Sequence, residues 1–464
     1  MTLTSALLSF SRDTRFEDLP AAVVHEARRY VLDALGCALG GHAVEKGRIA
    51  AGYAARLGGA AESGVVGSSA RVSMPAAAFA NAELVNALDH DSIPHVVPVT
   101  LPPVLAAAQA SHVNGKELIT AVVVAHEIGN RIGRASSAMI KSLMETGSTP
   151  DAFGINNEAL IGGALAVARL LGHNAAQAGH ALGLAAYFCS LPVARDWEEA
   201  MPKSMAKYTP VGLMAQNAVH AALLAGEGFT GHPEVLDALH GFPCFLRTGR
   251  WEPALVTHGL GSNWTFLEQQ YKPWPCCRFF HSQLDMLAQL VERHALTAAD
   301  IESIATHGPR FVANPEPYNT RTQIDVQFSL PFCMALVAHG VAPDARWQSA
   351  ATIADTALHS LAGRVRMHAD PRSLQAKAKD PRSWWARVEI VLADGRRLEA
   401  QTEHARGTNG TALALTDADL QQKFLAHADS VLGSDAARFA LDAVWELERM
   451  TDAHDLISLF APSH

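Results

Sequence analysis

The chain of 464 residues is 49% hydrophobic and 18% charged, and its formal net charge at pH 7 is −9. This composition is typical of a globular protein and excludes a largely disordered one, while the length favours more than one domain. The negative balance has no basic region that could follow a phosphate backbone, so nucleic acid is not expected as a partner.

The sequence also argues against secretion, membrane insertion and a metal cluster. The N-terminus lacks a basic segment followed by an apolar run, and charged residues interrupt the apolar stretches at 101–127 and 159–189 before they reach a membrane-spanning length. The six cysteines are scattered without a CxxC spacing, which is typical of reduced thiols in the cytoplasm. We therefore predict a cytoplasmic protein that has no membrane partner and needs no cofactor.

The first predicted elements are all helices. Apolar residues recur with helical spacing over residues 17–38, 44–57 and 74–88. The third of these helices runs into a polar segment that contains Asp89, His90, Asp91 and His95. Buried acids and histidines at a helix end are costly unless they are paired or used. We rank proton transfer by this segment first, capping of helix carbonyls second and metal ligation third, since no comparable second cluster of acids and histidines occurs in the chain.

Five more helical patterns follow, at about 101–112, 115–134, 157–172, 174–189 and 211–226. The segment from Ser136 to Asn157 is rich in small polar residues and is predicted to be a loop at a surface or a mouth. Lys207 precedes the predicted helix at 211–226. Because a helix N-terminus is positive, a lysine beside it favours an anion such as a carboxylate or an enolate. The alternative is an ordinary surface lysine.

The segment from Lys272 to Asp285 joins a rigid stretch to another predicted helix. Two prolines and two bulky aromatic residues restrict its backbone, so Arg278 and His281 are expected at a helix start with a set direction. Arginine can hold a carboxylate with two parallel hydrogen bonds, and histidine can carry a proton near neutral pH. The pair indicates acid–base chemistry on an anionic small molecule. The alternative is that both residues only cap and pack the helix.

Strand patterns occur only after residue 270. Residues 300–308 and 386–392 alternate between apolar and polar, and Asp394-Gly395 after the second of them is a strong hairpin signal. The sequence therefore predicts a mostly α fold with an α+β part.

The position of these strands also predicts the domain organisation. Helical periodicity returns at Thr416 and continues towards the C-terminus. We predict a large all-helical domain of residues 1–270 that is completed by residues 401–464. A smaller mixed α/β lid domain of residues 271–400 is inserted into it.

Several stretches resemble the MmgE/PrpD family, and together they cover nearly the whole chain. They are Val31–Gly41, Ala87–Asp91, Lys207–Gly212, Gly228–Gly231, Lys272–His281 and Gln327–Phe332. Activities named in this family include 2-methylcitrate dehydratase, cis-aconitate decarboxylase and iminodisuccinate epimerase. The resemblance implies a helical domain with a smaller α/β lid, a homodimer, and a polar site in the cleft between the two domains.

The resemblance also implies which residues form the site. Those expected to be catalytic are Asp89, Asp91, His95, Lys207 and His281. Those expected to bind the substrate are Lys272, Arg278 and Asn156. No metal is expected among them.

The chain departs from the family pattern at two places. The aspartate motif usually reads Asp-aromatic-Asp-Asp-Thr, whereas this chain has Asp89-His90-Asp91-Ser92, with His95 after a shorter gap. In a second motif, Asn156 stands where the family has a histidine. Asparagine can hydrogen-bond a substrate but cannot carry a proton at neutral pH. These departures point to a divergent substrate or reaction.

The predicted function is that of a metal-free lyase, a dehydratase or decarboxylase, acting on a small di- or tricarboxylic acid. A base would remove a proton α to a carboxylate, and cations would stabilise the enolate. The roles would be charge stabilisation by Lys207 and Arg278, proton transfer by His95 and His281, and orientation or base catalysis by Asp89 or Asp91. The alternatives are an isomerase or epimerase of a substituted dicarboxylate, a non-catalytic polycarboxylate-binding protein, and a metal hydrolase built on the segment 89–95.

Overall fold

The computed structural model describes residues 2–462 except 147–148, 152, 155, 191–192, 243, 245–249 and 310–313. The first part of the chain is mainly helical. Its helices are α1 (Leu3–Asp13), α2 (Ala21–Gly41), α3 (Glu45–Leu57), α4 (Met74–Asn86), α5 (Val97–Ala110), α6 (Gly115–Ser136), α7 (Met139–Thr146), α8 (Ala159–Leu170), α9 (Ala175–Tyr187), α10 (Ala194–Glu199), α11 (Val211–Gly226) and α12 (Ala254–Thr257). Most of them lie within a few residues of the predicted helices, because their apolar faces repeat over several turns.

Two features of this part differ from the sequence prediction. A small ribbon of β1 (Ser63–Gly64) and β2 (Arg71–Val72) pairs antiparallel between α3 and α4. The predicted domain is therefore not entirely helical, and strands of two residues are too short to show an alternating pattern. The loop predicted from Ser136 to Asn157 contains α7, a short helix that its small polar neighbours conceal in the sequence.

The second part mixes helices and strands. Its elements are α13 (His281–Arg293), β3 (Ile301–Gly308), α14 (Gln323–Gln327), α15 (Leu330–Ala338), α16 (Ala350–Ile353), α17 (Thr356–Ala362), β4 (Val365–Ala369), α18 (Pro371–Lys379), β5 (Ala386–Leu392) and β6 (Arg397–Thr402). We call this region the α/β part. It is followed by α19 (Asp417–Leu432) and α20 (Ser434–Trp445). Short 3-10 helices occur at Phe16–Asp18, Thr265–Glu268, Arg278–Phe280, Ala298–Asp300, Ala345–Gln348, Leu447–Arg449, Ala453–Asp455 and Ile457–Phe460.

The four strands of the α/β part form one mixed sheet in the order β4-β3-β5-β6. β3 pairs parallel with β4, while β5 pairs antiparallel with both β3 and β6. Every second residue of β5 is buried, as its alternating pattern predicts. The predicted hairpin at Asp394-Gly395 is confirmed, with Gly395 at a positive φ of 85° that glycine adopts without steric cost.

Two separate hydrophobic cores lie in these two parts. The larger core collects buried side chains from α1–α6, α8, α9 and α11 together with the returning helices α19 and α20. The smaller core lies between the sheet and the helices α13, α15 and α17. A mostly helical protein with one small mixed sheet confirms the predicted fold class. Among the described residues, no helix combines the length and the apolar composition that crossing a membrane requires.

Candidate active site

Three of the predicted site residues have a left-handed backbone conformation, which is uncommon for residues other than glycine. Asp89, Asn156 and Lys207 have left-handed φ angles of 54°, 58° and 55°. In the described part of the chain, the other non-glycine residues with a positive φ are His112 and Ala295. A side chain in this region costs free energy unless the surroundings impose it. Three such residues among the predicted site residues therefore support a functional role for this region.

Asp89, in the turn after α4, holds two buried lysines. Lys207 Nζ lies 2.6 Å from Asp89 Oδ1, and Lys272 Nζ lies 3.0 Å from Oδ2 and 2.7 Å from the Asp89 carbonyl oxygen. All three side chains are at most 1% exposed. Each carboxylate oxygen thus accepts a charge-assisted hydrogen bond from a different ammonium group. The trio carries one net positive charge when both lysines are protonated.

Asp91 orients the ring of His95 in the same turn. His95 Nδ1 lies 2.9 Å from Asp91 Oδ2, and His95 Nε2 lies 3.4 Å from Lys272 Nζ. Because an ammonium group can only donate, these partners assign the ring proton to Nδ1 and leave Nε2 as an acceptor. The side chain of His95 is 16% exposed, whereas that of Asp91 is fully buried. A partly exposed histidine that a carboxylate orients is suited to proton transfer.

We call Asp89, Asp91, His95, Lys207 and Lys272 the acid–base cluster. Burial would raise the pKa of Asp89, but the charges of Lys207 and Lys272 outweigh it and leave this pKa well below its usual range. Burial also opposes the effect of His95 on Asp91, whose pKa is lowered. For Lys207, burial is the main cause of a lowered pKa. Both aspartates are therefore ionised at neutral pH, and neither is set to donate a proton.

Chain pairing brings the distant lysines to this turn. Ile93 and Gln270 form an isolated antiparallel bridge with two N···O distances of 2.9 Å. Lys272, two residues further along, is thereby placed beside the turn. Lys207 comes from the turn before α11, and its Nζ lies 5.3 Å from the centre of the Tyr208 ring. The contacts of Lys207 and Lys272 with Asp89 do not follow from local sequence, because each joins residues more than a hundred positions apart.

A second set of buried polar residues contacts the cluster, and the sequence did not predict them as site residues. Lys46 Nζ lies 2.9 Å from Glu83 Oε2 and 3.3 Å from Asn86 Oδ1. Asn86 donates to Asp91 Oδ1 at 3.4 Å, and its carbonyl oxygen accepts from Lys207 at 3.4 Å. The charge of Lys46 adds to burial in lowering the pKa of Lys207. A polar residue on a helical pattern is expected to face solvent, so the sequence could not select this set.

Three glutamines of the α/β part hold the backbone of the same turn. Gln323 and Gln327 donate to the carbonyl oxygen of Ala87 at 2.9 and 2.7 Å. Gln348 donates to the carbonyl oxygen of Leu88 at 2.8 Å and accepts from the other two amides. The α/β part therefore fixes the backbone just before Asp89. Gln327 lies in a stretch that indicated the family, but its partner became visible only in the fold.

Arg278 and His281 form a separate buried pair. Arg278 Nη1 lies 3.2 Å from His281 Nδ1 and donates to the Arg406 carbonyl oxygen at 2.6 Å, while Nη2 donates to Thr408 Oγ1 at 2.8 Å. His281 Nε2 lies 3.2 Å from the Cys276 carbonyl oxygen. Burial, followed by the charge of Arg278, holds the pKa of His281 well below its usual range. Both residues lie at a helix start as predicted, and these hydrogen bonds are with groups outside the acid–base cluster.

Asn156, in place of the family histidine, is partly exposed. The buried side chain of Asn157 next to it accepts a hydrogen bond from Thr209 Oγ1 at 3.0 Å. This bond joins the loop of Asn156 to the turn that carries Lys207. Its position keeps Asn156 a candidate for contact with a substrate.

The cluster also contains the elements of a metal site. Asp89, Asp91 and His95 each offer a ligand atom, and these atoms lie within 4.8 Å of one another. Carboxylate and imidazole groups suit several divalent metals. However, each oxygen of Asp89 already accepts from a lysine, so a cation would have to displace these bonds beside two ammonium charges. The surroundings therefore fit a metal ion poorly.

Two profiles of one family match most of the chain. The MmgE/PrpD N-terminal domain matches residues 5–253, and the MmgE/PrpD C-terminal domain matches residues 274–448. The chain belongs to the MmgE/PrpD family. The resemblance seen in the sequence motifs is thus confirmed, and the acid–base cluster combines residues of the N-terminal match with Lys272, which lies between the two matches.

The names of several relatives of this MmgE/PrpD protein refer to cis-aconitate decarboxylase. The chain is 25% identical over 504 residues to the cis-aconitate decarboxylase-like protein oryM of Aspergillus oryzae, covering 99% of this chain and 97% of the relative. It is 23% identical over 480 residues to the cis-aconitate decarboxylase of Homo sapiens, covering 99% and 94%. It is 27% identical over 325 residues to that of Aspergillus terreus, covering 65% and 63%.

Proposed function

We propose that this protein is a lyase that decarboxylates a small di- or tricarboxylic acid, with dehydration as the other lyase reaction to test. The observation that carries the proposal is the acid–base cluster, in which two buried lysines share one aspartate beside a histidine oriented by another. The relatives named as cis-aconitate decarboxylases support loss of carbon dioxide.

Decarboxylation requires a cation that stabilises an electron pair and a group that donates a proton, and the cluster contains candidates for both. Breaking the carbon–carbon bond releases carbon dioxide and leaves the electron pair on the substrate, where a nearby cation stabilises it as an enolate. Lys207 and Lys272 supply positive charge in a buried place, where it acts more strongly than in water. A proton must then be added to the carbanion. His95, the partly exposed member of the cluster, is suited to deliver it from Nε2 after the ring has taken up a proton there from water.

Dehydration could use the same groups in a different order. His95 Nε2, an acceptor in the observed arrangement, would remove a proton α to a carboxylate. The lysines would stabilise the enolate until the hydroxyl group leaves as water, with the proton that His95 Nε2 removed. Asp91 would hold the ring through Nδ1 in both reactions.

We propose positioning roles for Arg278 and His281. The sequence suggests a carboxylate clamp and a proton carrier, but their described hydrogen bonds are with groups outside the acid–base cluster. Through these bonds they connect the start of α13 with residues 406–408. They would thereby hold the segment that carries Lys272 in place.

We also propose that the reaction needs no metal ion. The lysines on Asp89 occupy the positions from which a cation would be bound. Activity is therefore expected to remain after treatment of the protein with a chelator. Loss of activity that added Mg²⁺, Mn²⁺ or Zn²⁺ restores would contradict this part of the proposal.

The domain division predicted from the sequence remains part of the proposal, with residues 271–400 as a lid on residues 1–270 and 401–464. The three glutamines that hold the turn before Asp89 come from the lid side, so lid closure would complete the cluster and exclude water. A homodimer, which the family resemblance implies, and a cytoplasmic location, which the scattered cysteines indicate, are proposals too. Sedimentation of the purified protein tests the first, and imaging of a tagged protein in cells tests the second.

The test of the function is product analysis by NMR in D2O with chelator-treated protein. Cis-aconitate is the first substrate, followed by other unsaturated, hydroxy and amino di- and tricarboxylic acids. A decarboxylase releases carbon dioxide and adds one solvent deuterium to the carbanion that remains, at one of the carbons that share its electron pair. A dehydratase forms a new olefinic signal from a hydroxy acid. A panel without product or deuterium exchange would overturn the lyase proposal.

One observation favours an isomerase or epimerase as the second candidate. Asn156 replaces a histidine of the family motif, and asparagine cannot supply a second proton carrier. Such an enzyme would exchange the α-proton for deuterium and change the configuration without loss of any group. Binding of a polycarboxylate with no exchange at all would instead identify a non-catalytic member of the family.

A further inference from the structure

A cavity lies behind the turn that carries the acid–base cluster. Its volume is about 270 Å³, and its wall includes one face of α19, the loop at 342–346 and Arg406. His90, which stands between the two aspartates in the sequence, also lines it, as does Pro273 next to Lys272. The residues of the acid–base cluster itself are not among those lining it. We call this space the back cavity.

The first sign of a ligand is a buried ring nitrogen. His90 Nδ1 lies 3.0 Å from His427 Nε2, but His90 Nε2 has no hydrogen-bond partner among the described residues. His90 is 1% exposed and lines the back cavity. A buried polar atom without a partner costs free energy, and native proteins nearly always satisfy it. An acceptor bound in the cavity would satisfy a proton on Nε2.

The ionisation of this histidine pair supports that assignment. Burial lowers the pKa of His427 to about 4, and burial together with the charge of Lys423 holds the pKa of His90 well below its usual range. Both rings are therefore neutral near pH 7, so each carries one proton. If His427 Nε2 donates to His90 Nδ1, the proton of His90 is on Nε2, a buried atom that has no acceptor among the described residues.

Other donors face the same space. Lys423 Nζ donates to Asp33 Oδ1 and to the His90 carbonyl oxygen, each at 2.6 Å, which uses two of its three hydrogens. Arg406 contributes a guanidinium whose Nη2 lies 3.9 Å from Asp419 Oδ1, too far for a hydrogen bond. Lys423 and Arg406 thus have hydrogens available for an anion.

The acidic residues of the wall already have partners. Asp344 accepts from Arg346 at 2.5 Å, and Asp419 accepts from Thr416 Oγ1 at 2.6 Å. Their charges are thus offset within the wall, at Asp344 by an arginine and at Asp419 by hydrogen bonds at a helix start. The groups that remain available are mainly donors, which favours an oxyanion over a cation.

We propose that the back cavity binds a small molecule through a carboxylate or phosphate group, with Lys423, Arg406 and His90 as donors. The site is distinct from the acid–base cluster and goes beyond the proposed reaction. A volume below that of typical drug-binding pockets limits the ligand to a compact molecule. Because Lys423 also holds the His90 carbonyl oxygen, the ligand would bind directly behind the turn that carries Asp89 and Asp91.

The test is calorimetric titration of the full-length protein with malonate and, separately, with inorganic phosphate. Arg406→Gln removes one donor at a side chain that is 49% exposed, and the backbone bonds of Arg406 are unchanged. His90→Phe keeps a ring of similar size and removes Nε2. Arg396→Gln is the matched control, because Arg396 is an exposed arginine that pairs with Asp394 on the hairpin.

At least one of the two anions is expected to bind, and Arg406→Gln and His90→Phe are each expected to weaken binding about tenfold or more. Arg396→Gln should bind like the wild type. Lys207→Met, which alters the acid–base cluster, should retain this binding. Binding that Arg406→Gln leaves unchanged, binding that only Lys207→Met removes, or no binding of either anion would overturn the proposal. If His90→Phe does not fold, Arg406→Gln still decides.

Discussion

The acid–base cluster and the Arg278–His281 pair contain the same kinds of side chains, but they use their polar atoms differently. In the cluster, His95 is partly exposed and its Nε2 faces the ammonium group of Lys272 at 3.4 Å. In the pair, His281 is fully buried, and its ring nitrogens bond to Arg278 and to the Cys276 carbonyl oxygen, which lie outside the cluster. A group that reacts with a substrate needs an atom that the substrate can reach.

The comparison shows why a motif can mark a site without naming its reactive groups. Arg278 follows Lys272 in one rigid proline-rich segment, yet the lysine contacts Asp89 while the arginine bonds to the backbone at Arg406. A residue that only holds a segment in place must form hydrogen bonds, so it has the same polar side chain as a residue that reacts. Exposure and partners separate the two roles, and both are properties of the folded chain.

The largest effect that would sharpen this comparison is expected from His95→Asn. Asparagine can still bond to Asp91 but cannot carry a proton, so kcat should fall about 10²- to 10⁴-fold. Steady-state kinetics with the substrate that NMR identifies measure kcat, and urea unfolding checks that the variant keeps its fold. His281→Asn is the matched variant and should lose much less. Equal losses in both would return His281 to the proton-transfer role that the sequence suggests.

The second effect concerns the buried charges of the cluster. Lys207→Met leaves Asp89 with Lys272 as its remaining ammonium partner, and loss of one buried hydrogen bond between charged groups should lower the free energy of unfolding by about 1.5–3 kcal/mol. Urea denaturation at pH 7 measures the change. Adding Asp89→Asn should not recover the loss, because it leaves the ammonium group of Lys272 buried without its carboxylate partner.

An exposed lysine provides the control for this experiment. Lys141 lies on the surface and pairs with Glu145 at 3.9 Å, so Lys141→Met should change the free energy of unfolding by about 0.5 kcal/mol or less. A similar small change in Lys207→Met would mean that the ion pairs of Asp89 contribute little. The distinction between the cluster and ordinary surface pairs would then be lost.

The third prediction uses pH to examine the Arg278–His281 pair. Burial and the charge of Arg278 depress the pKa of His281 in the folded state, so below about pH 6.5 the unfolded chain takes up a proton that the native protein does not. The stability from His281 is thus present above this pH and is lost as the pH falls. Between pH 7 and 5, the wild type should lose up to about 1.4 kcal/mol per pH unit more than His281→Asn does.

Urea unfolding of both proteins at pH 7, 6 and 5 measures this difference in slope. The other buried histidines remain in both proteins, so their contributions cancel. Parallel stability curves would show that His281 is protonated in the folded state. It would then be able to act as an acid, and the contrast with His95 would weaken.

The smallest effect is expected where the α/β part touches the turn. Gln327→Leu removes two hydrogen bonds, to the Ala87 carbonyl oxygen and to Gln348 Oε1, while Gln323 still donates to both acceptors. Their loss should change kcat about two- to tenfold through the position of Asp89, with KM little altered. Gln375→Leu, at an exposed site on α18, is the control and should leave kcat unchanged. Equal rates in the two variants would argue against positioning by the glutamines.

Periodicity predicted the fold where a pattern extends over several turns or strands. The helix at 211–226 and the hairpin around Asp394-Gly395 were predicted closely, because their signals are local. The ribbon at 63–72 was missed, since its strands have only two residues each. The sequence therefore indicated the longer elements and missed the shortest strands.

The same limit applies to the candidate site. Asp89, Asp91 and His95 stand out because they cluster in the sequence at a predicted helix end. Lys46 and Asn86 did not stand out, although the first pairs with Glu83 and the second bonds to Asp91. Polar residues within helical patterns are ordinarily solvent-exposed, and only their packing against another segment shows that they are not.

The sequence by itself determined most of the long helices, the hairpin of the α/β part, the family and the chemical types available at the site, because these depend on spacing and on short motifs. The tertiary structure decided how those types are used. The bridge between Ile93 and Gln270 brings Lys272 to Asp89, and the fold leaves His95 partly open while it buries His281. Burial and long-range pairing set the partners and charge of each group, and neither is encoded in local spacing.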